Sequence, residues 1–252
     1  MSHSQYKCQV QGKESYIDNQ FVIFSQSYLM NQVHIYNKEK GHTTKNRVNL
    51  LELGCYNGRV MHFMTQQMLF VNYTGVDVTQ QYLAHSPVAR RKDVTLLCED
   101  VTKGLSVTDG SMDMIISSEV LEHINPGDLP GVMRTLYNKL KKGGRICVAF
   151  PMNTRDKMFH NLEKEKGLGH VNFPVYEDFI ELCENIGFTL HHYDSGFSLK
   201  SSFRTPRYGK DPLYDKLRDR LGSPAARAVW MTITDEHTGG GYFTFDKLKK
   251  EV

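Results

Sequence analysis

Residues 49–59, Asn-Leu-Leu-Glu-Leu-Gly-Cys-Tyr-Asn-Gly-Arg, constrain the fold more than any other segment of the chain. An apolar run ends in a glycine-containing turn, and a helix-compatible stretch follows at residues 60–70. This order is typical of a buried parallel strand that is followed by a turn and a helix N-terminus. The unpaired N–H groups of that N-terminus can bind a small ligand. Gly54 and Gly58 allow a tight turn or a close backbone approach. Neither dinucleotide-fingerprint spacing nor a Gly-Lys-Ser/Thr phosphate loop is present.

Three further predicted strands also end in polar residues. They are residues 73–78 with Asp77, residues 94–98 before Glu99 and Asp100, and residues 112–117 before Ser118 and Glu119. In a parallel sheet, such strand ends line one ligand crevice. Asp77 is placed to accept hydrogen bonds from the two hydroxyls of a ribose. The alternative interpretation of Asp77 is a cap for the following helix.

Five motifs follow one another along the chain. They are Glu52-Leu-Gly54-Cys-Tyr-Asn-Gly58, Asp77, Glu99-Asp100, Ser118-Glu-Val-Leu-Glu-His123 and Lys141-Lys-Gly143-Gly144. In order and spacing they resemble the motifs of class I S-adenosylmethionine-dependent methyltransferases, over residues 50–188. The resemblance implies an α/β fold: a Rossmann-like, doubly wound, mostly parallel sheet of seven strands with helices on both faces. It also implies S-adenosyl-L-methionine as the cofactor.

The resemblance assigns roles to the residues of these motifs. Glu52 would hold the turn or a water near the amino group, Asp77 would bind the ribose, and Asp100 would accept from the adenine amino group. The expected cofactor-binding residues are Glu52, Gly54, Cys55, Tyr56, Gly58, Asp77, Val78, Asp100, Val101, Ser118 and Glu119. A helix N-cap is the alternative role for Asp100. Tyr56 stands where the family usually has a small residue, so a non-catalytic binding protein that keeps the fold is a rival interpretation.

The candidate catalytic residues are Glu119, His123 and His170. Methyl transfer depends mainly on holding the reacting groups in line, and it needs a base only if the acceptor must lose a proton. Glu119 and His123 are four residues apart, so they would share one face of a helix. Their structural alternatives are a helix cap and a structural hydrogen bond. His170, in Gly169-His-Val-Asn-Phe173, resembles a stretch at the substrate mouth of many small-molecule methyltransferases.

Alternating strand and helix segments predict a parallel sheet covered on both faces. One helix is expected over residues 129–140, closed by the glycine cap of Lys141-Lys-Gly143-Gly144, and another over residues 176–186, ended by Gly187. An antiparallel last strand is expected at residues 229–234 or 242–245.

Residues 1–47 are predicted to be an N-terminal extension, with a helix over residues 21–36 lying on the core. Residues 48–252 would form the methyltransferase domain, with a basic insertion at about residues 198–228. Between Lys200 and Arg227, eight basic residues stand against three acids, which gives this segment a charge of +5 and the rest of the chain −2. A segment of this kind can bind an anionic acceptor or a nucleic acid, or it can be a solvated helix face.

These features favour methyl transfer to an oxygen or nitrogen of a small or medium-sized acceptor, with an RNA or DNA methyltransferase as the alternative. The apolar fraction of 40% is that of a globular protein, and no apolar run is long enough to span a membrane. The N-terminus lacks the apolar core of a secretory signal, so a cytoplasmic protein is expected. The five scattered cysteines are expected to be buried free thiols. No Cys/His cluster has zinc spacing, so no metal is expected.

Overall fold

The computed structural model describes residues 20–66, 71–153, 155, 161, 169–194 and 240–248. Its strands are β1 (Val48–Leu53), β2 (Val71–Asp77), β3 (Val94–Cys98), β4 (Met112–Ser118), β5 (Leu140–Pro151), β6 (Thr189–Asp194) and β7 (Gly240–Asp246). Its α-helices are α1 (Gln20–Glu39), α2 (Arg59–Gln66), α3 (Gln80–Ala84), α4 (Leu129–Lys139) and α5 (Tyr176–Ile186). Two short 3-10 turns, Val101–Lys103 and Leu121–His123, follow β3 and β4.

The seven strands of the described residues form one sheet in the order β3-β2-β1-β4-β5-β7-β6. The first five strands are parallel, while β7 runs antiparallel between β5 and β6. The predicted seven-stranded, mostly parallel sheet is therefore confirmed, and the antiparallel strand is the second of the two segments predicted for it. The other segment, residues 229–234, lies outside the described residues.

Both faces of the sheet are covered by helices. Neighbouring residues of a strand point to opposite faces, and in β1 both Leu50 and Leu51 are fully buried. Leu51 packs in a cluster with residues of α4 and α5, whereas Leu50 packs in a second cluster with residues of α1 and α2. Burial on both faces is what allows the central strands to be continuously apolar.

Helix α1 packs on the sheet through Leu29, Val33 and Tyr36, which are all buried. The predicted helix over residues 21–36 is thus present and slightly longer. The Tyr28 hydroxyl and the Thr244 hydroxyl are hydrogen-bonded at 3.0 Å, which joins α1 to β7. Ser25, one turn earlier, reaches the carboxyl end of β4, so the same helix also borders the predicted crevice.

The predicted glycine cap of α4 is wrong. The helix ends at Lys139, and its cap residue, Leu140, already has extended backbone and begins β5. Gly143 has a φ of 80° inside the strand, and its N–H donates to the Lys247 carbonyl oxygen at 2.6 Å. The sequence predicts this strand over residues 145–150, but it starts five residues earlier, at Leu140. Pairing of Gly143 and Gly144 with the distant Lys247 takes up the backbone groups that a helix cap would have used. Gly187, in contrast, ends α5 in a left-handed conformation, as predicted.

The cysteines follow the prediction with one exception. Cys55, Cys147 and Cys183 are buried free thiols, but Cys98 is exposed because it lies on β3, at the edge of the sheet. Cys8 lies outside the described residues. None of the described helices has the length and apolar character needed to cross a membrane.

Candidate active site

The turn after β1 is built on Gly54. Its φ is 71°, in the left-handed region that favours glycine, and the N–H groups of Gly54 and Cys55 both donate to the Val76 carbonyl oxygen (2.8 and 3.0 Å). A Cβ at Gly54 would lie 2.1 Å from Val120 Cγ2. Glycine is therefore required both for the backbone and for the close approach of the loop that follows β4.

Tyr56 has a left-handed backbone conformation in the turn after β1. Its φ is 52°, which is uncommon for a bulky side chain. Its N–H donates to Asp77 Oδ2 at 2.9 Å, and its ring contacts the Tyr82 ring at a centroid distance of 4.2 Å. The turn thus forms with tyrosine in place, and 36% of the surface of this residue is exposed.

Asp77 connects the turn after β1 to the turn after β2. Its two carboxylate oxygens accept from the N–H groups of Tyr56 and Thr79, each at 2.9 Å. Burial raises its pKa. Thr79, not Asp77, is the N-cap residue of α3, so the helix-cap alternative is wrong. Each oxygen keeps further acceptor capacity, which is what two ribose hydroxyls would require.

Glu52 lies beneath the turn. Its side chain is fully buried in β1 and accepts a hydrogen bond from the Tyr73 hydroxyl of β2. Burial raises the pKa of Glu52 from its ordinary value of 4.5 to about 8. The hydrogen bond between Glu52 and Tyr73 therefore links the side chains of β1 and β2 below the glycine turn. The role of Glu52 in holding the turn or a water near the amino group of the cofactor stays a prediction.

Asp100 caps the 3-10 turn that follows β3. Its Oδ1 accepts from the Thr102 N–H at 3.0 Å and from the Thr102 hydroxyl at 2.6 Å. The alternative role predicted for this residue, an N-cap, is thus present, and adenine binding stays a prediction. Val101 is 5% exposed and belongs to the apolar core.

Two of the buried polar atoms at this end of the sheet lack a hydrogen-bond partner among the described residues. They are the Ser118 hydroxyl, at the end of β4, and Asn57 Oδ1, in the turn after β1. Buried polar atoms normally have one. Together with the acceptor capacity of Asp77, they fit the polar groups of S-adenosylmethionine. The predicted residues around them, with Gly58 and Val78 at the same strand ends, stay predictions as cofactor contacts.

Glu119 is the second non-glycine residue with a positive φ (56°) among those described. Its N–H donates to the Ala149 carbonyl oxygen at 2.9 Å, and its Oε1 accepts from the Ser25 hydroxyl at 3.3 Å. Burial and the neighbouring Glu122 carboxyl group together raise its pKa. Such backbone conformations cluster at functional sites.

Two sequence-based interpretations of this segment are wrong. The cap residue of the 3-10 turn is Val120, without a side-chain cap, so Glu119 is not a helix cap. Glu119 and His123 also do not share a helical face, because the left-handed residue precedes a turn of only three residues. Glu119 instead lies near Glu122. Glu122 has no role in the sequence-based prediction, although the Glu-x-x-Glu spacing could have indicated it.

The two histidines among the candidate catalytic residues, His123 and His170, come together although they are 47 residues apart in the sequence. His123 Nδ1 is 3.0 Å from the Gly169 carbonyl oxygen, the structural hydrogen bond predicted as an alternative. Its ring meets the His170 ring edge-on at a centroid distance of 5.0 Å. The N–H groups of Val171 and Asn172 both donate to the Glu122 carbonyl oxygen (2.9 and 3.1 Å). Backbone hydrogen bonds therefore hold His170 beside the turn that carries Glu122 and His123.

Comparison with known proteins gives a family and several relatives. Residues 29–193 match the family described as "Methyltransferase domain". The 18S rRNA (guanine(1575)-N(7))-methyltransferase of Saccharomyces cerevisiae is 27% identical over 138 residues, which are 51% of this chain and 50% of the yeast protein. The chain thus spans about half the length of this curated relative.

Solved structures share the fold at low identity. The [4+2]-cyclase SpnF has a TM-score of 0.59 at 17% identity, covering 87% of this chain and 80% of that one. Phosphoethanolamine N-methyltransferase 2 of Haemonchus contortus, in complex with S-adenosyl-L-methionine, has a TM-score of 0.58 at 17% identity, covering 90% of this chain and 57% of that one. One fold therefore carries proteins named for different reactions.

Proposed function

Because the chain belongs to the family of S-adenosylmethionine-dependent methyltransferases, and S-adenosylmethionine is accordingly its cofactor, we propose that it methylates an oxygen or nitrogen atom of a small or medium-sized acceptor. The observation that carries this proposal is the cluster at the end of β4. A carboxyl pair, fully buried Glu122 and partly buried Glu119, lies beside His123 and His170. These groups stand next to the turn predicted to hold the cofactor, because Val120 packs against Gly54.

The proposed division of labour follows from this placement. The bound cofactor supplies an electrophilic methyl group on a sulfonium. Asp77 and the Gly54 turn would fix the cofactor at the ends of β1 and β2, so that its methyl group faces the loop after β4. Glu119 and His170 would orient the acceptor and take its proton, if the reacting atom carries one. No strong acid is required, because the leaving group departs neutral.

A second candidate is methylation of RNA. It is supported by the similarity to the yeast rRNA methyltransferase and by the basic residues between Lys200 and Arg227. Those residues lie outside the described part of the chain. A nucleic-acid substrate would make acceptor binding strongly dependent on salt, since phosphate contacts release counterions.

The remaining rival is a binding protein without methyltransferase activity. Tyr56 supported that interpretation, since it replaces a small residue of the family, but its backbone takes the conformation that the turn needs. The rival therefore rests on the fold alone, which does not decide a reaction. A cytoplasmic location stays a prediction from the sequence.

The test is transfer of a labelled methyl group from S-adenosylmethionine to a cell extract separated into a small-molecule pool and an RNA pool. Label in the small-molecule pool, lost in the Asp77→Ala variant, is the expected result. Label in the RNA pool alone, removed by nuclease, would replace the first candidate with the second. Cofactor binding without label in either pool would favour the binding protein.

A further inference from the structure

We propose that Glu122, His123 and His170 form a binding site for a divalent metal cation, with Glu119 as a further ligand on its acceptor side. One ligand atom from each of the first three residues lies within 4.8 Å of the others. The proposal rests on the proposed function, because it gives the cation a place beside the methyl acceptor. It differs from the sequence-based expectation of no metal, which relied on zinc-type spacing. His170 lies 47 residues or more from Glu122 and His123 along the chain.

The distances suit a site that needs only small side-chain rotations to close. Zinc-type ligand atoms lie about 2.0–2.2 Å from the metal, so two ligands of one cation are about 3.0–3.4 Å apart at angles of 90–109°. His123 Nε2 is 4.0 Å from Glu122 Oε1. The backbone under these side chains is already fixed, because Val171 and Asn172 donate to the Glu122 carbonyl oxygen.

The hydrogen bond of His123 prepares it to bind a cation. A carbonyl oxygen only accepts, so the 3.0 Å contact with the Gly169 oxygen places the proton on Nδ1. In the neutral ring, the lone pair is then on Nε2, the nitrogen that lies on the side of Glu122. A histidine that ligates a metal usually donates its other N–H to a carbonyl or carboxylate in this way.

The charges of the cluster also favour a cation. Glu122 is 0% exposed, and its carboxyl group is near enough to that of Glu119 for the two groups to interact electrostatically. Two carboxylates close together repel each other. A divalent cation between them would compensate both charges. The left-handed backbone of Glu119, with its N–H bonded to the Ala149 carbonyl oxygen, holds its carboxyl group toward this place.

The donor set also indicates the type of metal. Two imidazole nitrogens with one or two carboxylate oxygens suit first-row divalent cations such as Mn²⁺ and Zn²⁺, whereas a site for Mg²⁺ alone would consist of oxygen ligands. The cation would act on an oxygen acceptor by lowering the pKa of its hydroxyl group. With Glu119 and His170 held as ligands, the hydroxyl proton would pass to solvent and not to these residues. The oxygen would form a bond to the methyl carbon, and the carbon–sulfur bond would break with its electron pair remaining on the now neutral sulfur.

The test uses the full chain, freed of metal with EDTA and titrated with MnCl₂ or ZnCl₂ by calorimetry, alongside a titration with S-adenosylmethionine. One cation per chain is expected for the wild type. Glu122→Gln and His170→Asn should each weaken cation binding about tenfold or more. Replacing a residue that only hydrogen-bonds to a metal ligand already costs about tenfold in affinity, and the loss of a ligand should cost at least as much. The affinity for S-adenosylmethionine should change less than twofold in both variants.

His192→Gln is the matched control, because His192 is an exposed histidine on β6. It should bind the cation like the wild type. EDTA should reduce methyl transfer, and Mn²⁺ should restore it in the wild type but not in Glu122→Gln. If folded wild type binds S-adenosylmethionine but takes up no cation, or if both site variants bind cation as the wild type does, the metal site is wrong and the methyltransferase proposal stands. If S-adenosylmethionine itself does not bind, the proposed function is wrong.

Discussion

Asp77→Ala should weaken S-adenosylmethionine binding while leaving the protein folded. Asp77 accepts two backbone N–H groups, from Tyr56 and Thr79, which leaves acceptor capacity on both oxygens for the ribose hydroxyls. The substitution removes the charged acceptor of both proposed hydroxyl contacts. It also frees the two N–H groups, so a lower melting temperature is expected.

The magnitude follows from the number and type of the lost contacts. A hydrogen bond to a charged group contributes about 1.5–3 kcal/mol to stability or binding. Water enters the space left by the carboxylate and replaces part of both contacts, so we expect a loss of about 1–3 kcal/mol in binding free energy. This loss corresponds to a rise in Kd of about 5- to 150-fold.

Calorimetric titration with S-adenosylmethionine measures this effect, with circular dichroism to confirm folding at the same temperature. Asp93→Asn is the control: Asp93 forms ion pairs with Arg47 and Arg91 just before β3 begins, at the opposite end of the sheet. Its Kd should equal that of the wild type. An unchanged Kd in folded Asp77→Ala would refute the assignment of the ribose site.

Three further predictions concern stability and the acceptor. The pKa of Glu52 is raised to about 8 in the folded protein from 4.5, so the folded state binds more protons between these values and the free energy of unfolding falls as pH rises through this window. Glu52→Gln should remove this fall, worth at most about 5 kcal/mol, as denaturant titrations at about pH 4, 6 and 8 would show; a wild type and a variant with the same dependence of stability on pH would contradict it. Tyr56→Gly should be more stable than Tyr56→Ala by about 1 kcal/mol, because alanine keeps the left-handed strain and glycine does not; equal melting temperatures would contradict this. Arg204→Ala with Arg207→Ala should raise the KM of an anionic acceptor without changing cofactor affinity, and the effect should shrink as salt screens charges over about 10 Å at 0.1 M; unaltered kinetics at low salt would mark the basic cluster as a solvated surface.

The sheet could be predicted from the sequence because its strands are strongly apolar and end in recognisable motifs. The segment at residues 94–98 coincides with β3, and Gly187 ends α5 where expected. The start of β5 was missed, since Lys141-Lys-Gly143-Gly144 has the composition of a helix cap. Its pairing with the Lys247 segment is a contact between distant parts of the chain, which local composition does not reveal.

The candidate site was predictable in its residues and less so in its geometry. The motifs brought Asp77, Glu119 and His170 to attention, but the interpretation of Glu119 as part of a helix failed because its backbone is left-handed. No local rule predicts that conformation for glutamate. The approach of His170 to Glu122 depends on backbone hydrogen bonds formed only in the folded protein. The space beside Gly54 is likewise filled by the Val120 side chain. A side chain at position 54 would therefore clash with Val120 whether or not a ligand is bound.

A crystal structure with the demethylated product, S-adenosylhomocysteine, tests the central claim most directly. The account predicts both ribose hydroxyls within hydrogen-bond distance of Asp77 and the sulfur facing the cluster of Glu119, Glu122, His123 and His170. A product molecule bound elsewhere, or bound at this end of the sheet with its sulfur turned away from that cluster, would contradict it.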